Sequence, residues 1–194
     1  MAKEEKYSVL LASSNEKFDQ MLLSLLPTDE FGPIHIVTSI GSARRMMAER
    51  SYDILIINAP LKDERGTNYA IDIAHETGVG VMLFLDAEIY EEVSVFTEQY
   101  GVLTLSKPTG RSVISQSLRL LCATRQRLKR MEVKAASFED KIEEIKLVNR
   151  AKLLLIGTGK FDEKSAHRFI EKAAMDSRSP RRKVAEEIIA RYKE

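Results

Sequence analysis

Residues 112–156, SVISQSLRLLCATRQRLKRMEVKAASFEDKIEEIKLVNRAKLLLI, form the stretch that decides how the chain can fold. The stretch has no Pro or Gly and is rich in Leu, Arg, Lys, Glu and Ala, which favour helix. One helix of this length would extend roughly 65 Å at about 1.5 Å per residue, more than one small domain. We therefore expect a helix that leaves one domain and enters another. Two shorter helices with a break near residues 134–137 are the alternative.

The same stretch carries a heptad pattern of apolar residues that is typical of a coiled coil. One row of heptad positions contains Leu121, Leu128, Ala135, Ile142 and Asn149, and the companion row contains Thr124, Met131, Phe138, Ile145 and Lys152. A polar Asn149 in a core position would set the register at some cost in stability. The pattern predicts a coiled-coil linker over residues 112–137 and a homodimer formed through Leu121, Leu128, Met131, Ala135, Phe138, Ile142 and Ile145.

Composition excludes several classes of protein. Of 194 residues, 44% are hydrophobic, yet no apolar run reaches the length of a membrane span. The N-terminal sequence MAKEEKYSV lacks the apolar region of a signal peptide. The single cysteine, Cys122, cannot form an internal disulfide, and no Cys/His spacing indicates zinc. We expect a cytoplasmic protein without membrane contact, metal or cofactor, in which Cys122 is a buried helix residue rather than a reactive thiol.

Charge is divided unevenly along the chain. Residues 1–110 hold 9 Lys+Arg against 17 Asp+Glu, whereas residues 111–194 hold 21 against 12. This segregation favours two domains with different partners and an anionic partner, most commonly nucleic acid, for the second. A solvated basic face, or attraction to the acidic half of the same chain, would also explain it.

The first half alternates short apolar strands with helical patterns. The predicted strands are 7–12, 34–37, 53–57, 80–85 and 102–105. Because these strands are apolar throughout, they predict an α/β domain with a doubly wound, five-stranded parallel sheet covered on both faces. Functional groups in such sheets gather at the carboxyl ends of the strands.

The order of these elements resembles a response-regulator receiver domain, a flavodoxin-like fold, over about residues 5–120. Asn58 stands where that family has its phosphoacceptor aspartate, and Lys107–Pro108 matches its Lys-Pro after the fifth strand. The two acidic residues that hold a metal in the family are replaced by Ser13 and Ser14, and its strand-four hydroxyl residue by Asp86.

The departures predict a degenerate phosphoacceptor pocket made of Ser13, Ser14, Asn58, Asp86 and Lys107. An amide cannot attack a phosphoryl group, because its nitrogen lone pair is delocalised and its oxygen carries no full charge. Two serines supply no charge for Mg²⁺, which prefers carboxylate oxygens. Because Asp86 stands at a strand end near the pocket, a pair with Lys107 that fills the space of a phosphate is one hypothesis. Asp63 is expected to be a solvated loop residue.

The second half continues with two short helices. Gly157–Thr158–Gly159 is a signal for the end of a helix, and Asp162 is a suitable N-cap for the next one. Ser179–Pro180 predicts an N-cap followed by Pro at the first helical position. With the end of the long helix, these segments predict a small three-helix domain with little core of its own.

Residues 128–190 resemble an ANTAR domain. The similarity rests on Asn-Arg-Ala-Lys-Leu-Leu-Leu from position 149, on Asp-Glu-Lys-Ser-Ala-His-Arg-Phe from position 162, and on the segments around Met175 and Val184. Leu153 replaces the Gly that often follows the Ala-Lys pair. A receiver, a coiled coil and an ANTAR tail in that order imply an antitermination regulator that binds paired hairpins in an mRNA leader.

The resemblance implies RNA contacts from basic side chains to phosphates and, if they are exposed, from small residues that let bases approach the backbone. The candidates are Lys146, Arg150, Ala151, Lys152, Lys160, Ala166, Arg168, Lys172, Arg178, Arg181, Arg182 and Lys183. Phe161 and Phe169 are expected in the core, so no aromatic stacking platform is predicted.

The leading hypothesis is a dimeric, non-enzymatic RNA-binding antiterminator whose receiver-like domain works without phosphorylation and binds a regulatory protein or ligand. The alternative is a non-enzymatic adaptor, in which the basic tail and the coiled coil engage an acidic protein. No arrangement of Ser, His and Asp, phosphate-cradling glycine loop or pair of general acid and base indicates an enzyme.

Overall fold

A computed structural model describes residues 6–192, so residue 5, the first of the predicted receiver-like domain, lies outside the described residues. The chain forms two compact units, an N-terminal unit up to Arg130 and a C-terminal unit from Met131 onward. The division falls within the long helix, beyond residue 120, where the receiver-like domain is predicted to end.

The N-terminal unit is built on a parallel sheet with the strand order β2-β1-β3-β4-β5. The strands are β1 (Tyr7–Ala12), β2 (Phe31–Val37), β3 (Ile54–Asn58), β4 (Gly80–Asp86) and β5 (Leu103–Lys107). The connecting helices are α1 (Glu16–Leu23), α2 (Ile40–Glu49), α3 (Thr67–Glu76) and α4 (Ala87–Glu98). β2 begins three residues earlier than expected from its apolar run, because Phe31 pairs with Tyr7 of β1. The predicted five-stranded α/β fold is confirmed.

The core lies on both faces of the sheet, since successive residues of a strand point to opposite sides. Leu10, Leu55 and Leu83 are buried on one face. Val9, Ile56 and Phe84 are buried on the other, where they share an apolar cluster with the first turns of the long helix. Burial on both faces explains why the strands are apolar throughout.

The long helix is continuous. α5 extends over Arg111–Gly157, 47 residues in total, and no break occurs near residues 134–137. The helix ends where Gly159 takes a left-handed φ of 72°, which glycine adopts at little cost. The prediction of one unbroken helix is confirmed.

Leu121 is placed wrongly by the heptad pattern. Together with Ile114 and Leu118 it packs against the sheet of the N-terminal unit, and only 5% of its surface is exposed. The apolar face of α5 is continuous in sequence, but its first part is covered by this chain's own core. Leu121 is therefore unavailable to a second copy.

The C-terminal unit packs the last turns of α5 against α6 (Glu163–Asp176) and α7 (Arg181–Arg191). Its small core contains Leu155, Ile170, Ala185 and Ile189. Asp162 caps α6 as predicted, and its carboxylate accepts a 2.7 Å hydrogen bond from the Ser165 backbone N–H.

The predicted start of α7 is wrong by one residue. Pro180 itself occupies the N-cap position, and no side chain caps this helix. The Ser179 hydroxyl donates backward to the carbonyl of Ser177, at 3.3 Å, and so does not reach forward to the helix.

Candidate functional site

Four of the predicted pocket residues meet at the carboxyl edge of the sheet. Ser13 follows β1, and Asn58, Asp86 and Lys107 are the last residues of β3, β4 and β5. Parallel strands bring their carboxyl ends to the same edge, and the side chains therefore converge. Ser14 is exposed and lines the cleft without belonging to the hydrogen-bonded network described next.

The four side chains form one connected polar network. Lys107 Nζ donates to Asn58 Oδ1 at 3.2 Å and also to the carbonyl of Ala59. The Asn58 amide Nδ2 donates to the Ser13 hydroxyl at 3.1 Å. Asp86 lies 3.2 Å from Lys107 Nζ, so the ion pair considered from the sequence is present. Each of these four side chains is therefore bonded to at least one other of the four.

At this edge the last residue of β3 is an amide, Asn58, and not a carboxylate. Asn58 is buried, neutral and already bonded through both ends of its amide. Among residues 6–192, no group of three or more His, Cys, Asp or Glu residues could hold a metal ion. The one cysteine is also an unsuitable nucleophile, because burial raises the pKa of the Cys122 thiol to about 11.

Asp63 contributes to the same edge in a way that the sequence did not indicate. Its carboxylate accepts hydrogen bonds from the backbone N–H groups of Ile40, at 3.0 Å, and Gly41, at 2.9 Å. These bonds, the one from Gly41 first, lower the pKa of Asp63 below its usual range. Asp63 therefore caps the N-terminus of α2 from a distant loop and is not merely solvated.

In the C-terminal unit, the two alanines on the list of RNA-contact candidates are fully buried. Ala151 and Ala166 have 0% exposed surface and belong to the core between α5, α6 and α7. The helices can approach closely at these positions because a methyl side chain occupies little space. Direct contact of Ala151 or Ala166 with a base is therefore excluded in this fold.

Three of the basic candidates are engaged within the chain. Lys152 lies 3.4 Å from Glu163, and Arg182 lies 3.1 Å from Glu186. Arg181 lies 3.3 Å from Glu144 and 3.7 Å from Glu171. Lys152 is also the more buried partner of its pair, with 17% of its side chain exposed.

The other basic candidates are exposed. Their side chains form no ion pair within the described part of the chain. They come from all three helices and from the turns between them, and are Lys146, Arg150, Lys160, Arg168, Lys172, Arg178 and Lys183. Arg178 lies in the turn between α6 and α7 with a left-handed φ of 50°.

Phe169 is not a core residue, contrary to the prediction. It is 45% exposed, and its ring lies 5.3 Å from that of the half-buried Phe161. The interior that a small three-helix unit can offer is limited, so part of this aromatic pair remains at the surface.

The remaining predicted dimerisation residues are exposed on α5. Leu128 is 40% exposed, and Met131, Phe138, Ile142 and Ile145 are between 52% and 63% exposed. Ala135 is also exposed. Large apolar side chains in one row on a helix usually mark an interaction surface.

No helix among residues 6–192 is both long enough and apolar enough to cross a membrane.

Known proteins resemble both parts of the chain. Residues 136–189 match the family model of the ANTAR domain. The transcriptional regulatory protein PdtaR of Mycobacterium tuberculosis is 25% identical over 137 residues, which are 71% of this chain and 67% of PdtaR.

Two solved structures share the fold. The signal receiver domain of an HD domain-containing protein from Pseudomonas fluorescens Pf-5 has a TM-score of 0.58 at 21% identity, covering 67% of this chain and 97% of that domain. Full-length FixJ from B. japonicum has a TM-score of 0.55 at 10% identity, covering 96% and 97% of the two chains.

Proposed function

We propose that this chain, in which a receiver-fold domain precedes an ANTAR domain, is a non-enzymatic, RNA-binding regulator of transcription antitermination. The observation that carries the proposal is the presence of seven exposed basic side chains, unpaired within residues 6–192, inside or beside the ANTAR match. Such side chains suit RNA phosphates, and RNA sequence is recognised mostly in loops and bulges. The proposed target is an mRNA leader with paired hairpins, where binding prevents a terminator hairpin from forming.

The receiver-fold domain is proposed to act without phosphorylation. Lys107 is already paired with Asp86, and the amide of Asn58 offers no nucleophile. Restoring the carboxylate alone with Asn58→Asp leaves Ser13 and Ser14 unable to hold Mg²⁺. After incubation with acetyl phosphate and Mg²⁺, intact-mass measurement should show no phosphoryl adduct on the wild type or on Asn58→Asp. An adduct on the wild type would contradict the proposal that the receiver-fold domain acts without phosphorylation.

Two copies are proposed to associate through the exposed apolar row on α5. A dimer would present two ANTAR domains to two hairpins, so that binding of the first raises the effective concentration of the second.

The test is filter binding of the full chain to a two-hairpin leader RNA over a salt titration. We expect affinity to fall as salt rises, since phosphate contacts release counterions. A control RNA with the same stems and scrambled loops should bind more weakly. Equal affinity for the two RNAs, or affinity independent of salt, would exclude this function.

The adaptor function is the second candidate, and one observation favours it. Val95 and Phe96 on α4 are 62% and 52% exposed, which is typical of a protein-binding surface. A regulatory protein bound to the receiver-fold domain would use such a surface. Co-purification of a protein partner that survives nuclease treatment, without any RNA binding, would favour the adaptor over the antiterminator.

A further inference from the structure

One segment of the receiver-fold domain carries charge of a single sign. Residues 66–106, which include α3, β4 and α4, contain no Lys or Arg and seven Asp or Glu. The rest of residues 1–110 holds ten Asp or Glu against nine Lys or Arg, so the acidity of the first half comes from this segment. Asp86 is paired with Lys107. The other six carboxylates are exposed and form no ion pair within residues 6–192; they are Asp72, Glu76, Glu88, Glu91, Glu92 and Glu98.

Some of these carboxylates surround an apolar centre on α4. Val95 and Phe96 are 62% and 52% exposed. Glu91 and Glu92 precede Val95 by four and three residues, and Glu98 follows it by three. Residues three and four apart are neighbours on a helix surface. The exposed apolar pair therefore has acidic side chains beside it in both directions along the helix.

A row of rings extends this apolar centre from α4 to α3. The ring of Phe96 lies 5.5 Å from that of Tyr100, and the ring of Tyr100 lies 6.0 Å from that of His75 on α3. Asp72 and Glu76 are exposed on the same helix as His75. The four apolar and aromatic residues and the six carboxylates together form the α3–α4 face.

The α3–α4 face is unfavourable for the chain by itself. Glu88 and Glu92 are four residues apart on α4, and like charges at that spacing destabilise a helix. The exposed apolar surface of Val95 and Phe96 is also unfavourable in water. A partner that is both cationic and apolar would relieve the two costs together.

The chemistry of the α3–α4 face limits what can bind there. Its negative charge repels nucleic acid and anionic membranes. Among residues 6–192, no three His, Cys, Asp or Glu residues are grouped so that they could hold a metal ion, so the carboxylates are too dispersed for a cation site. A basic amphipathic helix fits, because its apolar stripe can cover Val95 and Phe96. Its Lys and Arg, at spacings of three and four, can meet the glutamates of α4, which have the same spacings.

We propose that the α3–α4 face binds a basic amphipathic helix of a partner protein, with Val95 and Phe96 under its apolar stripe and the glutamates of α4 opposite its Lys and Arg. The inference rests on the second candidate function, in which a regulatory protein binds the receiver-fold domain, and it adds the chemistry of that partner. It does not depend on RNA binding by the C-terminal unit.

A peptide titration of the full chain tests the charge contacts. The probe is a labelled synthetic helix with Leu on one face and Lys and Arg on the other, followed by fluorescence anisotropy. Glu91→Gln, Glu92→Gln and Glu98→Gln together should raise its dissociation constant about 10-fold, and the affinity of the wild type should fall as salt rises. No binding by the wild type would overturn the proposal.

A matched triple variant separates specific contacts from general attraction. Glu16→Gln, Asp29→Asn and Glu49→Gln remove three exposed charges elsewhere on the N-terminal unit and should change the dissociation constant by less than about twofold. Equal losses in the two triple variants would show that the peptide senses only net charge, which would overturn the proposal.

The apolar contacts are tested in the same assay. Val95→Ala with Phe96→Ala should raise the dissociation constant about 10-fold, since buried apolar anchors dominate such interfaces. The control is Ile36→Ala with Leu120→Ala, which truncates side chains that are 43% and 61% exposed elsewhere on the same unit. A loss in the control pair as large as in the test pair would contradict docking on α4.

Thermal unfolding distinguishes a lost contact from a folding defect. The variant with Glu91, Glu92 and Glu98 replaced by Gln should unfold at or above the temperature of the wild type, because repulsion between like charges is removed. A lower unfolding temperature would mean that these glutamates stabilise the isolated chain, and would overturn the proposal.

Photo-cross-linking in cells, from a photoreactive residue introduced at Val95, identifies the natural occupant. Adducts to a basic amphipathic segment that, as a peptide, shows the same dependence on the α4 glutamates would support the proposal. Adducts only to a second copy of this chain or to an acidic protein would overturn it.

The outcomes separate this inference from the functions proposed above. The triple Gln variant of α4 should bind the two-hairpin RNA as the wild type does, so a wild type that fails to bind RNA contradicts the antiterminator alone. Nuclease-resistant co-purification of an acidic protein would support the adaptor function and overturn the basic partner. Failure of the peptide titration contradicts only this inference.

Discussion

The carboxyl edge of the sheet and the surface of the C-terminal unit differ in how their polar groups are satisfied. At the sheet edge, Lys107 is bonded to Asn58 and Asp86, and Asp63 is bonded to the start of α2. On the C-terminal unit, basic side chains such as Arg168 and Lys172 are exposed and form no ion pair within residues 6–192.

The difference supports the proposal that the C-terminal unit, and not the sheet edge, binds an anion. A network whose members bond to each other gains little from an added anion, which would have to displace Asp86. Exposed lysines and arginines gain from phosphate, since binding releases the counterions around the RNA. We therefore propose that the contacts to phosphate are made by the C-terminal unit rather than by the sheet edge of the receiver-fold domain.

The largest effect is expected from filling the core of the C-terminal unit. Ala166→Leu adds bulk at a position with 0% exposed surface and should lower the free energy of unfolding of this unit by about 1–3 kcal/mol. RNA affinity should fall with the loss of folded protein, as followed by thermal unfolding and filter binding. The control is Ala190→Leu, the same change on the exposed side of α7. Normal unfolding of Ala166→Leu with RNA binding abolished would mean that the alanine contacts RNA after all.

A smaller effect, which leaves the fold intact, is expected from removing unpaired charge. Arg150→Gln, Arg168→Gln and Lys172→Gln together should reduce the slope of log affinity against log salt by about 2 for single-stranded contacts. The control is Lys17→Gln, Lys62→Gln and Arg65→Gln, with the same charge change on the N-terminal unit. Equal salt slopes in the two triple variants would mean that the basic residues of the C-terminal unit contact RNA phosphates no more than those of the N-terminal unit.

Removing Lys107 tests the network at the sheet edge. Lys107→Met leaves the buried Asn58 carbonyl and the Ala59 carbonyl without their donor, which should cost about 1–3 kcal/mol in urea unfolding. Asp86→Asn should cost less than about 1 kcal/mol, because that carboxylate is 55% exposed and solvent screens the pair. A Lys107→Met variant as stable as the wild type would show that the network contributes nothing.

The smallest effect concerns Asp63. Its lowered pKa means that the folded state favours the carboxylate, so its contribution to stability is complete above the usual aspartate pKa and is lost as pH falls through the lowered value. Asp63→Ala should lower the unfolding temperature at neutral pH, and the difference from wild type should shrink as pH drops below the usual aspartate range. Asp29→Ala, in an exposed loop, is the control. A difference that is independent of pH would exclude the capping role.

Local patterns in the sequence were sufficient to predict the elements. A run without Pro or Gly is a local property, and α5 is accordingly one helix. The apolar strands and Asp162 as the cap of α6 follow from neighbouring residues in the same way. The partners at the sheet edge could be anticipated because parallel strands end together.

The predictions that were wrong concern residues whose roles depend on contacts between distant segments of the chain. A heptad pattern shows which face of α5 is apolar but not what covers it, so Leu121 was assigned to a dimer although the sheet covers it. Asp63 caps a helix 22 residues away, a bond that no spacing in the sequence reveals. Ala151 and Ala166 matched a family pattern, and the pattern does not distinguish a residue that contacts a ligand from one that lets helices pack.

The first turns of α5 complete the core of the N-terminal unit, and this decides where the chain can be divided for expression. A receiver-fold fragment that stops at Arg111 would leave Val9, Ile56 and Phe84 uncovered, because Ile114 and Leu118 would be missing. An ANTAR fragment that starts at Ser112 would expose the side chains of Ile114 and Leu118 to water and would be prone to aggregate. A cut just after Arg125 leaves each fragment with the apolar residues that its own interior requires.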